Sequence, residues 1–137
     1  PDMKVPTDGN IYAINQGNLE KFDDSIKQFV SYCSAIDKET SRPHSLRYIG
    51  SMVGDLHRTL IKGGIFIYPA NKGEQKGKLR LLYECIPMSF LVEQAGGKAT
   101  NGYQRILDIQ PQEIHERTAI FIGSANLVDK ALSFLST

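Results

Sequence analysis

The chain holds 137 residues, 41% hydrophobic and 23% charged, with a formal net charge of +1. That length suits one domain with a sizeable core. The near-neutral balance argues against a general polyanion-binding surface, and no uninterrupted apolar run approaches a membrane span. Two cysteines, Cys33 and Cys85, have neither a disulfide nor a metal-ligand spacing. They are expected to be packed thiols in a reducing, cytoplasmic compartment, without excluding an organelle. No signal peptide, internal repeat or low-complexity tract is visible. The start at Pro1-Asp2 without Met suggests an excised piece of a longer protein.

In chain order, the first ten residues read as loop or strand edge, closed by the turn signal Asp8-Gly9-Asn10. Ile11–Ile14 is a short strand candidate. Asn18 can cap a helix whose apolar residues Leu19, Phe22, Ile26, Phe29, Val30 and Cys33 keep a three-four spacing. Residues 34–46 are polar, contain Pro43 and read as an exposed loop, and Leu46–Gly50 as a brief extended segment. Ser51 opens a second helix with Met52, Val53, Leu56 and Leu60 inward, stopped by Gly63-Gly64. Ile65–Tyr68 is a strand ended by Pro69, and Asn71–Gly77 a basic, turn-rich loop. A helix is expected from about Leu79 to Ala95, kinked at Pro87 and stopped at Gly96-Gly97. Ile106–Ile109 and Ala119–Gly123 read as strands. Ser124 caps a last helix with Leu127, Val128, Ala131, Leu132 and Leu135 inward. Strands alternating with helices predict an α/β domain, a sheet covered by helices on both faces.

Chemistry concentrates in a few places. Between Lys62 and Arg80 lie five basic residues (Lys62, Lys72, Lys76, Lys78, Arg80) against one acid, Glu74. The spacing fits a solvated loop or a pocket for a phosphorylated small molecule. From Leu81 to Val92 (LLYECIPMSFLV) Glu84 is the only charged residue. A carboxylate in apolar company must be compensated, here by Arg80 four residues earlier, by water or by a cation. Arg47-Tyr48 and Tyr68-Pro69-Ala70-Asn71 fall at junctions between elements, where α/β proteins place ligand groups. An arginine fork and tyrosine hydroxyls suit phosphate and sugar oxygens, although each is equally a surface or half-buried residue. His44, His57 and His115 form no catalytic set, and no GxGxxG or P-loop is present. Nucleic-acid binding is disfavoured because the basic residues occupy one loop without interleaved aromatics.

Several stretches together carry a resemblance. GKLRLLYECIPMS (Gly77–Ser89), with its Tyr-Glu pair before proline, is similar to the signature of class I fructose-1,6-bisphosphatases. IYAINQG (Ile11–Gly17), RYIGSMVGDLHRTL (Arg47–Leu60), GGIFIYPANK (Gly63–Lys72) and EQAGGKAT (Glu93–Thr100) resemble segments of that family's C-terminal half, in the same order. The resemblance implies a three-layer αβα sandwich with a mixed sheet, the single substrate-binding C-terminal domain of a sugar-phosphatase fold. It implies hydrolysis of the 1-phosphate of fructose 1,6-bisphosphate to fructose 6-phosphate in gluconeogenesis, with Mg²⁺, Mn²⁺ or Zn²⁺ as cofactor. Glu84 then matches the metal-binding glutamate, and Arg80 a residue beside the metal and the 1-phosphate. Asn15, Tyr48, Tyr68 and Lys78 match groups that hold the sugar and its 6-phosphate, and Met52 a main-chain contact to the sugar. Arg47 matches an arginine that reaches a neighbouring subunit's site in a homotetramer. Asn18 stands where many members carry a tyrosine on the 6-phosphate, and Ile86 where asparagine is common. The family's aspartate-rich metal motif and AMP site belong to an N-terminal half without counterpart in these residues. The isolated segment is therefore expected to be inactive. The alternatives are a sedoheptulose-1,7-bisphosphatase and a non-catalytic phosphate-binding or assembly module.

Overall fold

The computed structural model describes residues 4–15, 20–36, 42, 44–48, 52–70, 77 and 79–135, with main chain only at 52. Its first strand, β1, spans Ile11–Ala13, and α1 follows at Asp24–Ser34. The expected cap Asn18 lies outside the described residues, but the helix expected to run from it begins later, at Asp24 with Asp23 as N-cap, and Phe22 precedes it. β2 is the short strand Ser45–Leu46, earlier than the expected extended segment at 46–50. α2 covers Met52–Lys62, and β3 covers Ile65–Tyr68, as its β-branched and aromatic run predicts. Next come β4 at Leu79–Arg80, a π-helical turn at Leu81–Cys85, α3 at Ile86–Gln94 and β5 at Lys98–Thr100. A short 3₁₀ turn at Ile106–Asp108 leads to β6 at Arg117–Thr118, β7 at Ile120–Gly123 and α4 at Ala125–Leu135.

The main sheet has the order β2-β1-β3-β7-β5. β1 is parallel to both β2 and β3, whereas β3–β7 and β7–β5 are antiparallel, so the sheet is mixed. Alternation along each strand sorts side chains between two cores. On one face Tyr12, Ile14, Ile65, Ile67 and Phe121 meet Ile26, Phe29, Val30 and Cys33 of α1 and Leu127, Val128 and Ala131 of α4. On the other, Ala13, Phe66, Ile120 and Ile122 meet Leu56 of α2, Leu81 and Cys85 of the π turn and Val92 of α3. This is the expected three-layer αβα arrangement.

Two expected elements are corrected. The segment 79–95 is not one helix. Leu79 and Arg80 pair instead with Thr118 and Arg117, and the chain then winds as a π turn because Pro87 has no N–H for the Tyr83 carbonyl. The Ile86 N–H reaches back to the Leu81 carbonyl. At the far end α3 stops as predicted: Gly96 takes φ +92°, its N–H bonds to the Glu93 carbonyl and that of Gly97 to the Val92 carbonyl, a Schellman closure. The expected strand at 106–109 is a 3₁₀ turn, since Ile106 and Ile109, three apart, both pack on the α2–α3 core. β5 and β6, short and partly polar, were not foreseen. Ser124 is buried, and its hydroxyl accepts the Gly64 N–H at 2.9 Å while its carbonyl accepts the Val128 N–H at 3.0 Å.

Candidate functional site

Parallel pairing has a direct consequence for the sequence-predicted residues. β2, β1 and β3 run in the same direction side by side, so Arg47-Tyr48, Asn15 and Tyr68-Pro69 all emerge at one carboxyl-terminal edge of the sheet. α2 begins near that edge because it carries the chain from the end of β2 back to the start of β3, and so it brings the main chain of Met52 there. The carboxyl edge of parallel strands is where α/β folds take ligands, since helix N-termini and loops converge there.

Tyr48 and Tyr68 pack, half-buried, against the α2–α3 core at that edge. Burial first, then the neighbouring Tyr68 and Asp55 groups, raises the Tyr48 phenol above its ordinary pKa of 10.0. Its hydroxyl therefore stays protonated at neutral pH and can donate to an anionic oxygen. Asn15 and Arg47 are exposed, and Arg47 caps an edge strand, with its side chain open to solvent. Lys78, the cation of the expected pocket, lies outside the described residues.

The second group is local. The π turn folds Glu84 back so that Oε1 accepts the main-chain N–H of Arg80 at 3.0 Å and meets Arg80 Nε at 3.6 Å. Arg80 in turn lies over the Tyr83 ring, its Cζ 5.2 Å from the centroid, and the Tyr83 and His115 rings are 6.0 Å apart. The sequence question of what balances Glu84 thus has a first answer within the chain, Arg80. Because Glu84 is 36% exposed and both contacts fall on Oε1, the carboxylate remains accessible to a hard cation. Among the described residues no group of three His, Cys, Asp or Glu side chains converges. Glu84 therefore fits a divalent cation as one ligand only.

The three histidines occupy three separate places. His44 packs near Tyr32, His57 is exposed on α2, and His115 lies by Tyr83. Sequence reasoning passed over Asp55 and Arg58. Asp55 is fully buried in the first turn of α2, and its Oδ1 accepts from Arg58 Nη2 at 3.0 Å. The same Nη2 donates to the Arg47 carbonyl at 2.7 Å. The i,i+3 spacing of an acid and a base on an otherwise inward helix face was the available signal.

These features define a three-layer α/β domain with polar and cationic groups gathered at the carboxyl edge of its parallel strands, an arrangement suited to a small anionic ligand. The chain belongs to the family described as fructose-1-6-bisphosphatase, C-terminal domain, whose model matches residues 5–136. A class 1 fructose-1,6-bisphosphatase of Cytophaga hutchinsonii is 58% identical over 135 residues, covering 98% of this chain and 39% of that protein. The crystal structure of the Leishmania major fructose-1,6-bisphosphatase in apo form superimposes with a TM-score of 0.93 at 44% identity, over 100% of this chain and 43% of that one. The chain thus spans about two fifths of the length of the relatives it matches.

Proposed function

We propose that this domain supplies the sugar and 6-phosphate pocket, and one metal ligand, of a phosphatase that removes the 1-phosphate of fructose 1,6-bisphosphate in gluconeogenesis. The observation that carries the reading is the convergence of Asn15, Arg47, Tyr48 and Tyr68 at one sheet edge in a domain 58% identical to a fructose-1,6-bisphosphatase. Tyrosine hydroxyls and an amide there suit sugar hydroxyls and phosphate oxygens, and Lys78 adds the charge that a 6-phosphate demands. Arg47, on the exposed end of the edge strand, suits contact with a second subunit, which supports a homotetramer. No feature of the site favours a seven-carbon sugar or a purely structural role.

Glu84 would hold a divalent cation, Mg²⁺ in our reading, with further ligands from residues beyond this domain. When bound, such a cation neutralises charge on the transferring phosphoryl group and its flanking oxygens. The chain's own contribution is positional. Tyr48, Tyr68, Asn15 and Lys78 fix the sugar end, so the 1-phosphate is presented beside Arg80 and Glu84. A cytoplasmic setting suits the two free, buried thiols.

The test is phosphate release from fructose 1,6-bisphosphate by the natural gene product. Lys78→Ala removes a charge-assisted contact of roughly 1.5–3 kcal/mol, so KM should rise about tenfold or more. Glu84→Gln keeps the shape but loses the anion, and the metal concentration for half-maximal rate should rise at least about tenfold. Wild-type kinetics in both variants would refute the assignment.

A further inference from the structure

β2 is an unusual support for a ligand group. It contributes only two paired residues at the sheet edge, and Ser45, Leu46 and Arg47 are all exposed. Apolar burial therefore does little to fix these three residues, and Tyr48 beyond them is only partly buried against the α2–α3 core. Among the described residues, two hydrogen bonds hold the Arg47 main chain. From the sheet side, the Arg47 N–H donates to the Tyr12 carbonyl at 3.0 Å. From the helix side, Arg58 Nη2 donates to the Arg47 carbonyl at 2.7 Å. Arg58 can do this because Asp55, with no exposed side-chain surface, accepts from the same nitrogen at 3.0 Å, while the Arg58 side chain itself is only 17% exposed. One guanidinium thereby ties three things together: the strand end that presents Arg47 and Tyr48, the first turn of α2 that begins at Met52, and a buried counter-charge that holds the fork in place.

We propose that Arg58 is a positioning residue for phosphosugar binding, clamping the Arg47–Tyr48 segment against the first turn of α2 through the buried carboxylate of Asp55. The inference rests on the functional reading above and deepens it, since Arg58 touches no expected ligand and acts only through the segment it holds. Without the clamp, the Arg47 main chain keeps, among the described residues, the Tyr12 bond and Tyr48 its partial packing on the core, and part of the binding free energy goes into re-ordering the segment. The loss then falls on sugar binding rather than on the chemical step, which occurs at the Arg80–Glu84 end.

The natural gene product carries the test, with fructose 6-phosphate as the calorimetric probe and fructose 1,6-bisphosphate as the kinetic one. For Arg58→Met, KM and the fructose 6-phosphate Kd are expected to rise about tenfold, the size of one lost charged hydrogen bond, with kcat within about twofold. Arg58→Lys retains a charged donor and should recover most of that loss. Asp55→Asn keeps an acceptor for Arg58 but not its charge, so KM should rise about threefold; it decides the matter if Arg58→Met does not fold. An unchanged KM in Arg58→Met or Asp55→Asn, or a fall in kcat at constant KM, overturns the clamp. A wild-type protein that binds no fructose 6-phosphate overturns the functional reading itself, whereas a wild type that binds and a clamp variant that binds equally well overturn only this inference.

Discussion

Glu84 and Cys85 are adjacent, and the π turn sends them to opposite environments. Glu84 keeps a third of its side chain in water and takes a main-chain donor and a guanidinium, while Cys85 is fully buried in the α2–α3 core. Burial, with a smaller contribution from the Glu84 charge, pushes the Cys85 thiol from its ordinary 9.0 up to about 12. Cys33, buried on the opposite face between α1 and the sheet, is pushed up to about 12 by burial, opposed in part by Arg42. The sign of the pH dependence follows from linkage. Both folded pKa values lie above the unfolded ones, so the stability from keeping these thiols neutral is complete below about pH 9 and is lost as pH rises toward 12. Denaturation midpoints measured from pH 8 to pH 12 should fall over that interval, and Cys33→Ala with Cys85→Ala should flatten the fall. A buried neutral thiol is also a poor nucleophile, so an aromatic disulfide reagent at pH 8 should titrate both cysteines only after unfolding.

Pro87 shapes the element that carries Glu84. It stands where a continuing α-helix would need a donor for the Tyr83 carbonyl, and the π turn at Leu81–Cys85 is the outcome. That widened turn is what lets the Glu84 carboxylate reach the N–H of Arg80 as Arg80 leaves its pairing with β6. Pro87→Ala returns the donor and allows an α-helix to run through Tyr83, rotating Glu84 away from Arg80. Thermal stability should hold or rise, because a proline is removed from a helical stretch, while the metal requirement of the natural gene product increases by about tenfold. Melting temperature and metal titration measured together check this; unchanged metal dependence would show that the π turn is incidental to Glu84. A comparable element-level constraint lies between β3 and β7, where Gly123 takes φ +150° and any Cβ there would strike the Gly64 carbonyl oxygen. The two strands approach closely because both positions lack a side chain.

At the scale of the whole molecule, α3 is apolar on both sides. Val92 is buried, yet Phe90 and Leu91 are 54% and 53% exposed, and Tyr83 of the preceding turn is 52% exposed. A helix apolar all round belongs in a core, and an exposed apolar patch favours association. The chain also spans only 39% of the curated relative's length, and Glu84 alone is a poor Mg²⁺ site because that ion demands near-octahedral oxygen ligation. The 137 residues assayed alone are therefore expected to release no phosphate from fructose 1,6-bisphosphate in excess Mg²⁺, and to self-associate. Sedimentation should show association that Phe90→Glu with Leu91→Glu reduces. Substantial turnover by the isolated chain would reveal a complete metal site within it.

Much of this was written in local sequence. The three-four spacing of Ile26, Phe29, Val30 and Cys33, the β-branched run Ile65–Tyr68 and the glycine pairs after α2 and α3 carry their own physics, because helix, strand and stop signals act over a few residues. Candidates for a site were also nameable from sequence, since Arg47, Tyr48, Tyr68 and Glu84 stand out by chemistry and by motif. Tertiary structure decided what depends on partners distant in sequence. Leu79-Arg80 became a strand only because Arg117-Thr118 lies alongside, and Ile106–Asp108 became a turn because Ile106 and the following Ile109 share one core. The union of Asn15, Arg47, Tyr48 and Tyr68 required β1 to run parallel to both its neighbours, and the tie from Arg58 to Arg47 required α2 to pack beside the end of β2. Residue type and spacing determine what a segment can do, whereas strand direction and register, set by burying two faces of one sheet at once, determine which segments do it together.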